Sequence, residues 1–212
     1  MKKFTKLALA AMLVLTSAAA VGCSKSDDTS KSATNTTTSD SNVDAAKTNR
    51  AVFAAVLIAD EKMTSQFSKA VKGIDDAGKD VTFSAPSRSK DDAIAFLAPY
   101  WDKDAAGKEY DALLGDAAYL ANANKQIEAK VNKDNAAAKK EEDKKQFKPL
   151  TAVADSTKLS ANNLSGAKAQ FQDAKVENKD GKYTVEYKGL KYTMEKSGNT
   201  YKVVSKEGTL TK

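Results

Sequence analysis

Apolar residues recur at two spacings along this chain, three-to-four in its first half and two towards its end. Over Asp44 to Ile74, Val52, Val56, Ala59, Met63, Phe67, Ala70 and Ile74 fall on one apolar stripe of an α-helix. Phe53, Leu57 and Ile58 widen the stripe near its start, which predicts a helix facing a core. Its mixed charges (Asp60, Glu61, Lys62, Lys69, Lys72) argue against a helix lying on a membrane. Asp44 is the predicted N-cap, and Gly73 with Asp75-Asp76-Ala77-Gly78 the predicted end. Val81-Thr82-Phe83 reads as a short strand, followed by a loop around Pro86. Ser89 precedes Asp91, Asp92 and the apolar run Ala93 to Leu97, a capping-box-like start whose acids suit the positive end of the helix dipole. Pro99 ends that helix, and a second short one runs through Tyr110, Leu113 and Leu114 to Gly115. From Asp116, Leu120, Ala123 or Asn124, Ile127 and Val131 keep a helical spacing. Ala136 to Lys145 holds only alanine, lysine and acids, and reads as a water-facing helix or an excursion from the domain.

From Phe147 the grammar changes. Phe147, Leu150 and Val153 read as the start of a strand, and Ser156 to Gly166 as loop. Four antiparallel strands are predicted at Phe171 to Glu177, Tyr183 to Tyr187, Leu190 to Lys196 and Tyr201 to Ser205. Tyr183, Val185 and Tyr187 alternate with Thr184 and Glu186, and Leu190, Tyr192 and Met194 with Lys191, Thr193 and Glu195, which gives one buried and one wet face. Asn178-Lys179-Asp180-Gly181, Lys188-Gly189 and Ser197-Gly198-Asn199 carry hairpin-turn residues. Helices over 44–145 followed by a β-rich part over 147–212 predict one α+β domain, with N-terminal helices packed on a C-terminal antiparallel meander. Residues 43–212 suffice for a single core.

The start of the chain is different in kind. Lys2, Lys3 and Lys6 precede an uncharged run from Leu7 to Gly22, which closes on Ala20-Val21-Gly22-Cys23. A basic start, a short apolar run and small residues mark an export signal, and the run falls short of the roughly 20 apolar residues of a spanning helix. The stretch resembles a bacterial lipoprotein signal, although Ala20 stands where Leu is more usual. The resemblance implies removal of residues 1–22, acylation of the Cys23 sulfur, and an extracytoplasmic domain tied to a membrane. Cys23 is the only cysteine, so the chain can form no internal disulfide. Serine and threonine fill eleven of the nineteen positions from Ser24 to Asn42, with no large apolar residue. Together with Cys23 this makes 23–42 a predicted tether, on the order of 25 Å long as a flexible coil.

Charge and composition narrow the chemistry. Removing Met1 to Gly22 takes three lysines and no acid, lowering the formal charge from +6 to +3. Only Arg50 and Arg88 among the 34 basic residues are arginine, which disfavours specific nucleic-acid recognition. Lysine-rich surfaces can attract anionic wall polymers weakly. The absence of histidine removes the usual nucleophile triads and the common zinc sites. Ser87/Lys90 and Ser165/Lys168 have Ser-x-x-Lys spacing without the Ser-Asp-Asn and Lys-Thr-Gly elements that would give it meaning. Asp102-Lys103-Asp104 opens like a calcium loop, but Ala106 and Leu113 stand where ligands are required. No cofactor, metal or catalytic residue is assigned. A carboxylate-based wall-modifying enzyme would need two acids converging in a cleft.

Two surfaces remain as partner-binding candidates. Tyr100 and Trp101, beside Pro99, form either an aromatic platform or core anchors. Lys188, Lys191 and Lys202 sit on the meander's wet face. The pattern Tyr183-Thr-Val-Glu-Tyr-Lys-Gly-Leu-Lys-Tyr-Thr-Met, ending in Tyr201-Lys-Val-Val, resembles the curved-sheet half of cystatin-like or NTF2-like modules. Ser89-Lys-Asp-Asp-Ala-Ile-Ala-Phe-Leu-Ala-Pro-Tyr-Trp is similar in layout to a helix of IseA-type inhibitors of cell-wall DL-endopeptidases. The expectation is a non-enzymatic lipoprotein whose domain binds a protein or wall component. Its alternatives are inhibition of a peptidoglycan hydrolase and, from a different class, a wall-modifying enzyme. Oligomeric state is left open.

Overall fold

The computed structural model describes residues 37–161 and 163–211, which form one unit. The signal stretch, Cys23 and most of the predicted tether lie outside the described residues. The first helix, α1 (Thr37–Thr64), begins within that predicted tether, ahead of the expected cap at Asp44, and stops well before Ile74. Side chains end it. Thr64 Oγ1 donates to the carbonyls of Asp60 and Glu61 (both 3.1 Å), while Ser65 Oγ and Gln66 Nε2 both reach that of Lys62 at 2.7 Å. These groups occupy terminal carbonyls that another helical turn would need. After a 3₁₀ turn at Ser65–Phe67 the chain becomes a strand, β1 (Lys69–Ile74), paired antiparallel with β2 (Asp80–Ala85).

The single long helix predicted to Ile74 is therefore corrected to a helix and a hairpin. In the turn, Asp75 Oδ1 accepts from the N–H groups of Ala77 (3.0 Å) and Lys79 (2.8 Å), and Gly78 takes φ +80°. Gly73 does not end a helix. A Cβ on it would stand 2.9 Å from the Phe83 ring and 3.1 Å from the backbone of Gln126, so its bare backbone lets the next long helix approach the hairpin.

The middle helices start at side-chain caps. For α2 (Lys90–Leu97), Ser89 Oγ accepts from Asp92 N–H at 3.2 Å and lies 2.6 Å from the Asp92 carboxylate. For α3 (Lys103–Leu113), Asp102 Oδ1 accepts from Asp104 and Ala105 N–H, so this calcium-loop lookalike is a cap. Asp116 caps α4 (Ala117–Ala137) through Tyr119 N–H. Beyond α4 the predicted strand at Phe147–Val153 does not form. The segment instead runs back as irregular chain clipped to α4 by two asparagines. Asn124 exchanges both amide hydrogen bonds with the Leu150 backbone (2.8 and 3.0 Å), and Asn135 does the same with Lys145 (both 2.8 Å). Eleven residues make about three turns, which places both amides on one face. Part of the predicted loop at Ser156–Gly166 is a helix, α5 (Ser156–Ala161), started by Asp155, which accepts from Thr157 Oγ1 and N–H.

The four-stranded meander forms: β3 (Lys175–Lys179), β4 (Lys182–Tyr187), β5 (Leu190–Ser197) and β6 (Thr200–Glu207) pair in sequence order, and the first strand starts later than predicted because Phe171–Asp173 is a 3₁₀ turn. Asp180-Gly181 and Lys188-Gly189 both take positive φ, which matches two-residue type I′ connections. Val185, Tyr187, Leu190, Tyr192, Met194 and Val203 face inwards, and α1 brings Val52, Val56, Ala59 and Met63 into the same core. Leu97, Trp101, Tyr110, Leu113 and Leu164 complete it. The molecule is an α+β domain with helices packed against one face of a four-stranded antiparallel sheet. Between β5 and β6 the register slips: Met194 faces Val203 and Thr193 faces Ser205, leaving Val204 as an extra residue. That bulge brings Lys206 opposite Tyr192. Strict alternation from Val203 would have sent Lys206 to the wet face; the inserted residue turns it into the core.

Candidate functional site

Three charged side chains meet where α1, α3 and β6 come together. Asp60 is 1 % exposed, Glu109 is 8 % exposed, and the Lys206 side chain is 4 % exposed. Lys206 Nζ donates to Glu109 Oε1 at 2.6 Å and lies 3.9 Å from Asp60 Oδ1. The other Asp60 oxygen, Oδ2, accepts from Tyr192 O–H at 2.8 Å and from Leu164 N–H at 2.7 Å. Lys206 Nζ also lies 5.4 Å from the centre of the Tyr192 ring. Burial pushes the Asp60 carboxyl from 3.8 up to about 6, against the pull of Lys206 and the bonds from Tyr192 and Leu164. Burial, followed by the neighbouring Asp60 charge, drives the Tyr192 hydroxyl well above its ordinary value. Two acids thus share one ammonium in the interior, a costly arrangement unless every polar atom is satisfied.

The two acids differ in access. A groove of about 310 Å³ is walled by Glu109 and Lys206 with Asp104, Lys108, Ser205 and Glu207. Asp60 lies outside this lining and is closed off by Leu164 and Tyr192. Three carboxylates, those of Asp104, Glu109 and Glu207, line the groove, and Asp60 is not among them. The Ser-x-x-Lys pair at Ser87/Lys90 comes apart, since Ser87 Oγ donates to the Gln66 carbonyl and Lys90 Nζ pairs with Asp111.

Of the aromatic pair after Pro99, Trp101 is an anchor: it is 1 % exposed and its Nε1 donates to the Ala59 carbonyl at 2.9 Å. Tyr100 is half-buried and opens onto a second groove of about 300 Å³. Ala51, Ala54, Ala55 and Ile58 of α1 form one wall; Asn199, Thr200 and Tyr201 from the β5–β6 turn form the other. Ile58 is 45 % exposed there. The three lysines do not gather. Lys188 sits in the β4–β5 turn against the Tyr187 ring, Lys191 faces Glu186 at 3.8 Å, and Lys202 lies opposite Glu195 across β5 and β6. Sequence reasoning passed over Asp60 and Glu109, yet both carried a signal. Asp60 is four residues from Val56 and three from Met63, and Glu109 is four from Ala105 and Leu113, so both acids stand on core-facing stripes.

No protein-family model, no curated protein and no solved structure matches the chain.

Proposed function

We propose that this is a membrane-anchored extracytoplasmic lipoprotein whose domain is a non-enzymatic binding module. It takes a protein or cell-wall component in the groove between α1 and the β5–β6 turn. The observation that carries the binding part is the groove's surface: a wall of three alanines and the exposed Ile58, with Tyr100 and Tyr201 also lining it. Tyrosine offers an apolar body with a polar tip, which suits contact with a peptide or a sugar ring. The export-type start, the lone Cys23 and the Ser/Thr-rich stretch after it support the anchor. Two acyl chains, at roughly 0.8 kcal/mol per buried CH₂, hold a protein where one is marginal.

Among possible partners, a peptidoglycan hydrolase slowed by the domain is the more specific reading, favoured by the layout of Ser89 to Trp101. Photocrosslinking from position 58 in intact cells, with the native chain as bait, is expected to trap one dominant partner. Ile58→Asp and Tyr100→Ala should release it without unfolding the domain. Failure to trap anything above an unmodified control would remove the binding module. Fatty-acid label entering Cys23→Ala as well as it enters the native chain would remove the anchor.

A further inference from the structure

We propose that Lys206 and Asp60 close an intramolecular isopeptide bond, with Glu109 as the proton carrier and Leu164 N–H and Tyr192 O–H as the oxyanion hole. The inference does not depend on the binding module or the anchor, because it rests on five groups in the core. An amide needs an amine that can lose its proton, an acyl carbon whose oxygen is held by donors, and a group that moves protons between them. Each role has an occupant here. Glu109 Oε1 sits 2.6 Å from Lys206 Nζ, the geometry for taking its proton. Both donors converge on Asp60 Oδ2, at 2.7 and 2.8 Å, while Oδ1 is the oxygen facing Lys206. The carboxyl therefore has one oxygen set to hold developing charge and the other set to leave.

The steps balance. The Lys206 ammonium gives a proton to Glu109. The neutral amine attacks Cγ of the protonated Asp60 carboxyl and forms the C–N bond, with the negative charge settling on Oδ2. Glu109 returns its proton to Oδ1 as the C–Oδ1 bond breaks and water leaves, and then takes the surplus proton from the new amide nitrogen. The products are one amide, one water and a protonated Glu109, with no oxidant or reductant. Burial favours this course because desolvating a pair of charges is costly and a neutral amide avoids that cost. Nζ lies 3.9 Å from Oδ1, on the carboxyl whose carbon it attacks. Attack requires the Lys206 side chain to turn from Glu109 towards Asp60 Cγ. The bond would tie the first helix to the last strand, a covalent closure in a chain whose single cysteine allows no internal disulfide.

The test is peptide mapping by mass spectrometry of the folded full chain. The expected result is a branched peptide joining the segment around Asp60 to that around Lys206, lighter than the two parts by one water. Lys206→Arg keeps the cation but removes the amine nucleophile, and should yield only linear peptides. Glu109→Gln, close to isosteric, should fold and stay unlinked. A native chain giving only linear peptides overturns the proposal. So does a water loss that survives Lys206→Arg, since an aspartimide at Asp180-Gly181 would lose the same mass. A branched peptide forming as fast in Glu109→Gln as in the native chain overturns the mechanism as stated.

Discussion

Ion pairs occur at two depths in this domain, and the same charges behave differently at each. At the surface, Lys90 meets Asp111 at 2.6 Å with 43 % and 57 % of their side chains exposed, and Lys182 meets Glu195 at 2.7 Å. Water competes for both partners, so such pairs contribute about 0–1 kcal/mol each. In the interior, Lys206 meets Glu109 at the same 2.6 Å, with Asp60 behind it. Distance alone does not tell the two kinds apart. What separates them is the cost of leaving a partner uncompensated: near zero in water, several kcal/mol in the core. The interior set needs the Leu164 and Tyr192 donors that the surface pairs do without.

The largest effect expected from this contrast is at Lys206. Lys206→Met leaves two acids without their cation and should cost about 3–5 kcal/mol at neutral pH in chemical denaturation. A cost under about 1 kcal/mol would break the comparison. The next prediction concerns pH. As long as the Asp60 carboxyl is not joined to Lys206, burial raises it from 3.8 to about 6, so the folded chain holds this proton more tightly than the unfolded chain does. Stability tied to the carboxyl is therefore fully present below 3.8 and lost as pH rises to about 6, roughly 3 kcal/mol for one such group. In Lys206→Met the lowering pull of the ammonium is gone, and Glu109 and Tyr192 still face the site. The defect of that variant should shrink steadily from pH 7 to pH 4. A defect independent of pH would show that Asp60 is not the group in distress.

Between the two depths lie neutral, half-buried contacts. Asn124→Ala removes both hydrogen bonds to Leu150 and should cost about 1–3 kcal/mol by thermal melting. Lys90→Ala marks the small end, with a change within about 0.5 kcal/mol that vanishes in high salt. A Lys90 effect rivalling that of Asn124 would mean that the surface pair belongs to a wider network.

The parts of the fold legible in the sequence are those whose signal is local. The meander announced itself through alternation at Tyr183 to Tyr187 and Leu190 to Met194, and through turn residues that accept positive φ. Ser89 showed as a cap because its partner, Asp92, is three residues away. The hairpin at Lys69 to Ala85 did not, since Ala70 and Ile74 happened to extend the helical spacing of Phe67. Gly73 pointed to it, but its role depends on Phe83 and on Gln126 of a distant helix. The sequence left both Tyr100 and Trp101 undecided between platform and anchor; packing sent Trp101 inwards and left Tyr100 half-buried. Nothing local marked Lys206, because its direction follows from a bulge at Val204 that pattern alone does not place.

By itself the sequence determined the α+β class, the meander with its turns, and the start of α2 at Ser89, because these follow from neighbours a few residues apart. It also determined which chemistries a histidine-free chain with a single cysteine can hold. Only the tertiary structure decided that Asp60, Glu109 and Lys206 share one dry site. Their distances in sequence are too great for any periodicity to join them, and what makes them a set is the exclusion of water by the core around them.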